Sequence, residues 1–213
     1  MLTQTEYFNT RYTYNSGRIK VWKAISEYLQ RFISPKDAIL EIGAGYCDFI
    51  NQIQGEKKYA VDIDAHSKLY CNKDISFIKS SIFDINIQEK FNIIFASNFF
   101  EHFTINEVEV ILSKLYNLLH DDGTLILIQP NYYYCYKNYW DDYTHKTVFS
   151  HHNLPDLLQA NNFKTIFLKK RFIPFSFKSK LPTSYFLTKL YLYSPIKPFG
   201  KQLLLIAKKH VQK

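Results

Sequence analysis

One stretch of the chain decides its fold, and it runs Ile39-Leu40-Glu41-Ile42-Gly43-Ala44-Gly45-Tyr46-Cys47-Asp48. It predicts an apolar strand, followed by two glycines that turn the chain sharply toward a helix. Glycine adopts backbone angles that other residues avoid, and it lets the backbone pass close beneath a ligand. Open α/β sheets bind their ligands at the carboxyl ends of their strands. The stretch therefore predicts a ligand site at the end of the first strand.

Short apolar segments alternate with helical segments around this loop. Helices are predicted over Ser16–Ile33, from an apolar stripe, and from Thr104 to Gly123, where Thr104 and Glu107 match a capping box. Near-continuously apolar strands separated by helices indicate a parallel sheet that is covered on both faces. The predicted strands are Ala38–Ile42, Tyr59–Ile63, Ser76–Lys79, Phe91–Ala96 and Thr124–Ile128.

The pattern changes after residue 130. Pro130–Trp140 is predicted as a Tyr-rich loop and Asn153–Asn161 as a short helix. Lys164–Phe172 and Gln202–Lys208 are predicted to form a final antiparallel hairpin, and the aromatic, basic insertion between them, 181–198, is expected to fold over the sheet edge or the site. The expected fold class is α/β, with a Rossmann-like, doubly wound and mostly parallel sheet of seven strands.

The 213 residues are long enough for one large domain, and a single domain is expected. Three regions are predicted within it. They are an N-terminal helical lid at 1–36, a cofactor-binding core at 37–130, and an acceptor-binding and hairpin region at 131–213.

Charge is unevenly distributed along the chain. Residues 1–150 carry a net charge of −3, whereas residues 151–213 carry 12 lysines and arginines against Asp156 alone, a net charge of +11. Such a field attracts phosphates, nucleic acid or an anionic membrane surface, and a solvated lysine-rich surface is the alternative. We expect an anionic partner.

Cysteine usage and hydropathy bear on the compartment. Cys47, Cys71 and Cys135 lack the spacing of a metal site, and 46% hydrophobic content with 22% charged residues excludes a disordered chain. We see no signal peptide and no apolar run of the roughly 18 residues that a membrane span needs. A reduced cytoplasmic protein is expected.

Three kinds of ligand compete for a Gly-x-Gly loop. A nucleoside triphosphate loop needs Gly-Lys-Ser/Thr, which is absent, and a dinucleotide loop needs a third glycine where Asp48 would repel a pyrophosphate. Asp62 ends the second strand 19 residues after Gly43, where it can accept hydrogen bonds from ribose hydroxyls. A cofactor with a ribose and a cationic centre but no phosphate fits better, and S-adenosylmethionine is such a molecule.

The chain resembles the class I S-adenosylmethionine-dependent methyltransferases over most of its length. The matching stretches are Glu41-Ile42-Gly43-Ala44-Gly45, Val61-Asp62-Ile63-Asp64 and Phe91–Asn98 with the Glu101-His102 pair that follows it. The resemblance implies that Gly43 and Gly45 face the methionyl part, that Asp62 holds the ribose, and that Ser81 and Ile82 flank the adenine. Ser81 and Asn92 stand where the family often has aspartate. The expected cofactor-binding set is completed by Glu41, Ala44, Ile63 and Asn98.

The C-terminal half is similar to a narrower group of these enzymes, found in bacterial surface-polysaccharide biosynthesis. The matching stretches are Trp140–His145, Arg171–Pro182 and Gly200-Lys201-Gln202. The resemblance implies O-methylation of an anionic sugar, a nucleotide sugar or a phosphorylated intermediate of capsule or surface-glycan biosynthesis.

Methyl transfer to a hydroxyl requires that a proton be removed, and histidine is a suitable base. His145 is the first candidate, with Asp142 expected to orient its ring and Thr144 to position the acceptor. His102 is the alternative candidate for the base. Asn98, Glu101 and His102 are expected to share one helix face. Glu101 and His102 are weak candidates for a metal site, and no metal is expected.

Other residues are candidates for the acceptor site and its surroundings. Arg171, Lys178 and Lys180 are expected to clamp an acidic group, and Tyr132 and Tyr133 to stack on a sugar or base. An N-terminal lid is predicted from Tyr7, Arg11 and Arg18. Residues 181–198 mix aromatic, aliphatic and lysine residues, as segments that contact a membrane surface do.

Two rival functions remain open. An RNA methyltransferase would suit the basic tail, but Ala96-Ser97-Asn98-Phe99 replaces the Asp/Asn-Pro-Pro-Tyr motif of adenine-amine methylation, which argues against a nucleic-acid acceptor. A non-catalytic module that binds S-adenosylmethionine at a membrane surface is the other.

Overall fold

A seven-stranded sheet organises the computed structural model, which describes residues 14–174 and 183–211. The order across the sheet is β3-β2-β1-β4-β5-β7-β6, with neighbouring pairs parallel from β3 to β5 and β7 antiparallel to both β5 and β6. The predicted fold class is confirmed. The strands are β1 Ala38–Ile42, β2 Lys57–Asp62, β3 Ser76–Lys79, β4 Phe91–Ser97, β5 Leu119–Pro130, β6 Phe163–Lys169 and β7 Gln202–Lys209.

Within the described residues, five helices accompany the strands. They are α1 Gly17–Gln30, α2 Ile105–Leu118, α3 Tyr132–Tyr139, α4 Asn153–Ala160 and α5 Tyr185–Tyr193, and short 3-10 turns lie at Ala65–Tyr70 and Phe100–His102. The predicted capping box starts α2, because the Thr104 hydroxyl accepts from the Glu107 amide and the Glu107 carboxylate accepts from the Thr104 amide. None of the helices in the described residues is both long and apolar enough to cross a bilayer.

Apolar side chains cover both faces of the sheet. On one face α2 and α4 bury Val108, Ile111, Leu115 and Leu154, and on the other α1 buries Trp22, Ile25 and Leu29 together with Leu192 of α5. Strand β1 lies between β2 and β4. After β1 the chain forms β2 and β3 on one side of it, and then crosses to the other side of β1 to form β4. This reversal opens a crevice at the carboxyl ends of β1 and β4.

Several predicted boundaries were wrong. Helix α2 ends at Leu118, not Gly123, because Leu119 already pairs with Phe91 of β4. The predicted loop 130–140 contains α3, whose helical turns bury Cys135 and Tyr139. Burial of these two side chains outweighs the modest helix propensity of tyrosine.

Three other segments differ from expectation. The second strand is Lys57–Asp62 and the sixth ends at Lys169, where its pairing with β7 stops. Residues 45–52 form successive turns in place of a regular helix. Within 181–198 the chain forms α5, which begins where the Ser184 hydroxyl accepts from the Leu187 amide.

Candidate functional site

The glycine loop after β1 takes a conformation that disfavours side chains. Gly43 and Gly45 have φ values of +63° and +52°, in the left-handed region. A Cβ atom on Gly43 would lie 2.4 Å from Cδ2 of Phe99, so the loop passes directly against that ring. A side chain at position 43 would collide with Phe99, so glycine is required where the end of β1 meets the segment that follows β4.

Asp62 lies at the end of β2 and holds this loop. Its Oδ2 accepts from the Gly45 amide at 2.7 Å and its Oδ1 from the Asp64 amide at 2.8 Å. Burial raises the pKa of Asp62, and the two amide hydrogen bonds oppose that rise. Each carboxylate oxygen has a further lone pair, so the predicted ribose contact is compatible with this geometry.

Asp64 is a site residue that our sequence reasoning did not single out. Its Oδ1 accepts from the His66 amide at 2.9 Å, whereas its buried Oδ2 has no hydrogen-bond partner among the described residues. Buried polar atoms are nearly always satisfied, so a donor beyond these residues, such as a bound ligand, would complete it. The signal was present in the spacing of the two acids in Asp62-Ile63-Asp64. Ile63, between them, is 46% exposed.

The other predicted cofactor residues surround the same loop. Glu41 is buried and accepts from the Ile50 amide at 3.0 Å, and burial raises its pKa well above the usual range. The Ala44 amide donates to the Val61 carbonyl at 3.1 Å. Ser81 Oγ accepts from the Phe83 amide at 3.2 Å, and Ile82 is buried. Glu41 thus connects the end of β1 to the turns that follow the glycine loop.

Asn98 sits at the other side of the crevice. Its φ of +48° is left-handed, and its Oδ1 accepts from Gln202 Nε2 at 2.6 Å. The prediction of one helix face shared by Asn98, Glu101 and His102 is wrong, because only Phe100–His102 form a 3-10 turn. The side-chain oxygen of Asn98 instead connects the end of β4 to Gln202 of β7.

Arg18 of α1 packs against the residues that follow the glycine loop. Its Nε and Nη2 donate to Asp48 Oδ2 at 2.9 and 2.6 Å, and both side chains are 7% exposed. This ion pair weakens the repulsion that Asp48 would exert on a pyrophosphate. The turns at 45–52 provide no regular helix N-terminus for a pyrophosphate to bind. The other predicted lid residues, Tyr7 and Arg11, lie outside the described residues.

A cluster of three titratable side chains lies beyond Phe99. Glu101, His102 and His145 each place one potential ligand atom within 4.8 Å of the others. The ring centroids of His102 and His145 are 5.2 Å apart. The backbone amide of Lys146 donates to the Glu101 carbonyl at 2.8 Å, which holds the loop of His145 against the turn that contains His102. Two candidates that are 43 positions apart in the sequence therefore share one site.

Asp142 and Thr144 orient His102, and the orientation of His145 by Asp142 stays a prediction. Thr144 Oγ1 lies 2.7 Å from Asp142 Oδ1 and 2.9 Å from His102 Nδ1. A hydroxyl has one hydrogen, and the carboxylate can only accept, so Oγ1 donates to Asp142 and accepts from His102. Burial and the neighbouring His145 lower the pKa of His102 to about 4, although Asp142 raises it.

His145 is oriented by α3. Its Nδ1 lies 2.8 Å from the carbonyl oxygen of Tyr139, which can only accept, so Nδ1 carries the hydrogen. The Tyr139 side chain is fully buried, contacts the His145 ring, and donates its hydroxyl hydrogen to the Thr147 carbonyl. Sequence reasoning grouped Tyr139 with tyrosines that could stack on the acceptor, and it did not predict that Tyr139 orients His145, because this segment was predicted to be a loop.

Glu101 is the most buried member of the cluster, at 1% exposure. Burial raises its pKa to about 8. The Gln129 amide faces it with its nitrogen toward Glu101 Oε2. Gln129 was not predicted, and nothing in its local sequence distinguishes it from a buried strand residue.

The predicted acceptor residues divide between two places on α3. Tyr132 packs edge-on against Tyr139 with ring centroids 5.2 Å apart, near the cluster. Tyr133 is 60% exposed and contacts the rings of His151 and His152 instead. The guanidinium of Arg171 lies 4.0 Å from the centroid of the Tyr134 ring. Lys178 and Lys180 lie outside the described residues.

Comparisons with known proteins show the family to which the chain belongs. A family model described as a methyltransferase domain matches residues 14–167. The chain is similar to phosphoethanolamine N-methyltransferase of Plasmodium falciparum, with 25% identity over 73% of this chain and 63% of that protein. It is also similar to malonyl-[acyl-carrier protein] O-methyltransferase of Calditerrivibrio nitroreducens, with 27% identity over 59% of this chain and 53% of that protein.

The chain therefore spans less than two thirds of the length of either relative. Among solved structures, a SAM-dependent methyltransferase from Archaeoglobus fulgidus superposes with a TM-score of 0.64 and 19% identity. That alignment covers 88% of this chain and 94% of the other. The likeness extends over nearly all of both folds.

Proposed function

This chain belongs to the methyltransferase domain family, and we propose that it transfers the methyl group of S-adenosylmethionine to a hydroxyl of a small anionic acceptor. The observation that supports this most is the meeting of two sets of residues at one crevice. The glycine loop, which Asp62 holds, lies against Phe99, and Phe99 directly precedes the turn that carries His102, next to His145. The first set suits a nucleoside, and the second suits removal of a proton.

The residues fit this cofactor on two structural grounds. Gly43 and Gly45 bring the loop backbone to the crevice without side chains, and the Oδ2 of Asp64, unpartnered among the described residues, matches a ribose hydroxyl donor. We assign the ribose to Asp62 and Asp64, the methionyl part to the loop of Gly43 and Gly45, and the adenine to the neighbourhood of Ser81 and Ile82. The bound cofactor supplies an activated methyl group on a sulfonium.

The chain's own residues then have to align the acceptor and take its proton. We propose that the acceptor hydroxyl lies at His145 and His102 and loses its proton there, with Asp142 and Thr144 holding the His102 ring. A hydroxyl acceptor must lose a proton when it is methylated, whereas an ionised carboxylate acceptor has none to lose. The cluster therefore favours O-methylation of an alcohol.

The anionic character of the acceptor is supported by charge. The segment 151–213 has a net charge of +11, and the exposed Arg171 stands against α3, the helix that orients His145. The acceptors named for the two relatives carry a phosphate and a malonyl carboxylate. An anionic sugar, a nucleotide sugar or a phosphorylated intermediate of surface-glycan biosynthesis meets these requirements.

A methyl-transfer screen tests this proposal. We would incubate the protein with S-adenosylmethionine labelled in its methyl group and with panels of sugar phosphates, nucleotide sugars, phosphorylated amines and generic RNA. We expect label on a hydroxyl of an anionic sugar compound, and we expect His145→Ala to reduce turnover at least tenfold with unchanged affinity for S-adenosylmethionine. Label only on amines or only on RNA would contradict the proposal.

We also propose that this activity operates at an anionic membrane surface. The supporting observation is the α5 face, which we define as Phe186, Leu187, Leu190 and Tyr193, with exposures of 51% to 79%. No acidic residue occurs from Phe163 to Lys213, and adjacent α1 carries the exposed Lys20 and Lys23. Apolar side chains bordered by lysines suit an interfacial helix.

Vesicle sedimentation tests the α5 face. We expect the protein to pellet with phosphatidylglycerol vesicles more than with phosphatidylcholine vesicles, and the double variant Phe186→Ser/Leu190→Ser to lose most of this binding. Leu69→Ser is the matched control, because Leu69 is 80% exposed and lies outside α5. Equal pelleting of the double variant and the control would exclude the α5 face.

A further inference from the structure

We propose that Glu101, His102 and His145 bind a divalent first-row transition-metal ion, which activates the acceptor hydroxyl. The metal site is inferred from the geometry of these side chains. Its catalytic use rests on the function proposed above and explains how the acceptor loses its proton.

The three side chains provide a plausible set of ligands. Their potential ligand atoms lie within 4.8 Å of one another, whereas the ligand atoms of a tetrahedral site with bonds of roughly 2.1 Å are about 3.4 Å apart. Small side-chain rotations would close the remaining gap. Two imidazoles and one carboxylate leave coordination positions for a substrate, as in catalytic zinc and iron sites.

Both imidazoles are held as ligands usually are. In His145 the Nδ1–H group points to the Tyr139 carbonyl, and in His102 it points to Thr144 Oγ1, which Asp142 holds in turn. With Nδ1 protonated, a metal would bind each ring through Nε2. The His102 ring also has a hydrogen bond with the Asn98 backbone, which metal binding would replace. Metal-bound histidines commonly donate their other ring N–H to such oxygen acceptors.

Charge provides an independent argument. Glu101 is almost fully buried, and it forms no ion pair with a lysine or arginine of the described residues. A buried carboxylate requires a compensating cation or a proton. Imidazole nitrogens favour zinc, iron, copper and nickel over magnesium and calcium, which prefer all-oxygen sites.

A metal at this position would change the proton removal as follows. The acceptor hydroxyl oxygen coordinates the ion, which lowers the pKa of the O–H group, and the proton passes to solvent water. The resulting alkoxide forms a bond to the methyl carbon while the carbon–sulfur bond breaks. Its electron pair stays on sulfur, and S-adenosylhomocysteine leaves as the neutral thioether.

Metal titration of the purified protein tests the site directly. After dialysis against a chelator, we would add Mn²⁺ and follow the loss of the free-ion EPR signal, in the presence and absence of S-adenosylmethionine. We expect one ion per chain. Glu101→Gln and His145→Ala should each weaken Mn²⁺ binding at least tenfold, the scale on which metal-site substitutions act.

Matched controls separate this site from adventitious binding. Glu109→Gln changes an exposed carboxylate of α2 and His152→Ala changes an exposed histidine outside the cluster, so both should bind Mn²⁺ as the unaltered protein does. Retained affinity for S-adenosylmethionine shows that each variant is folded. If Glu101→Gln does not fold, His145→Ala decides alone. No stoichiometric binding, or equal binding by cluster and control variants, would overturn the inference.

The outcomes also separate the metal site from the proposed function. If the chelated protein methylates a hydroxyl at its full rate, the metal inference is wrong and the proposed function stands. If the protein binds one Mn²⁺ at these residues but methylates only amines, the metal site stands and the proposed function fails.

Discussion

Asp64 carries the most specific expectation at the scale of a single side chain. Its Oδ2 atom is buried and has no hydrogen-bond partner in the part of the chain that the structure describes, and a ribose hydroxyl would satisfy it. We predict that Asp64→Asn weakens S-adenosylmethionine binding by about 1–3 kcal/mol, the effect of losing a hydrogen bond to a charged group. Isothermal titration calorimetry measures this affinity.

The control for Asp64 addresses its second role. Asp64 also accepts from the His66 ring, so His66→Ala removes that contact without touching the ribose position. The affinity of His66→Ala should remain within twofold of the unaltered protein. Unchanged affinity in Asp64→Asn would show that the ribose lies elsewhere.

Substitution of Gly43 tests the close approach of the glycine loop to Phe99. Gly43→Ala places a Cβ atom 2.4 Å from the Phe99 ring and forces a left-handed conformation on an L-residue. We predict a loss of about 2–4 kcal/mol in the free energy of unfolding, from backbone strain and overpacking together, measured by urea denaturation. Adding Phe99→Leu should recover part of the loss. Full stability of Gly43→Ala would contradict the described contact.

The helices and strands that local interactions determine were predictable from the sequence, and those that depend on contacts between distant residues were not. Strands β1, β3 and β4 and the capping box of α2 were predictable because local hydrophobic patterns and side-chain–backbone contacts set them. Helix α3 was not, because its formation depends on burying Cys135 and Tyr139 against distant segments. A run of tyrosines does not reveal such burial.

The candidate site shows the same division. Asp62 and the two glycines were found because the loop and the end of β2 follow a regular spacing. The contact of Thr144 with His102 joins residues 42 positions apart, and no local pattern signals it. His102 and His145 therefore looked like competitors in the sequence, although the structure brings them together.

Lys197 provides a prediction for the segment that joins α5 to β7. It is 8% exposed, burial together with nearby Lys169 lowers its pKa to about 8, and it donates to the Tyr191 carbonyl. Between pH 8 and about 10.5 the unfolded chain keeps this proton while the folded chain loses it, so stability should rise with pH.

Comparison with Lys197→Met isolates this contribution. The free energy of unfolding of the unaltered protein, relative to the variant, should increase by about 1–3 kcal/mol from pH 7 to pH 10. Urea denaturation at each pH measures the difference. A difference that is constant or falls across this range would contradict the burial of a charged lysine.

In the whole molecule, the sheet joins the acidic part of the chain, which contains the glycine loop, to the basic C-terminal part. The acidic part of the chain builds the parallel strands and the glycine loop, whereas the basic part, from residue 151, forms the antiparallel hairpin and α5. Because β7 pairs with β5, Gln202 reaches Asn98 at the crevice. The hairpin thus connects the basic region with the site.

The central claim is that the crevice at Gly43 and Gly45 binds S-adenosylmethionine, and direct calorimetry of cofactor binding tests it. We predict saturable binding of S-adenosylmethionine and of S-adenosylhomocysteine at one site per chain, with each displacing the other and with neither NAD nor ATP competing. Saturable binding of NAD or ATP, with no binding of S-adenosylmethionine, would contradict the account.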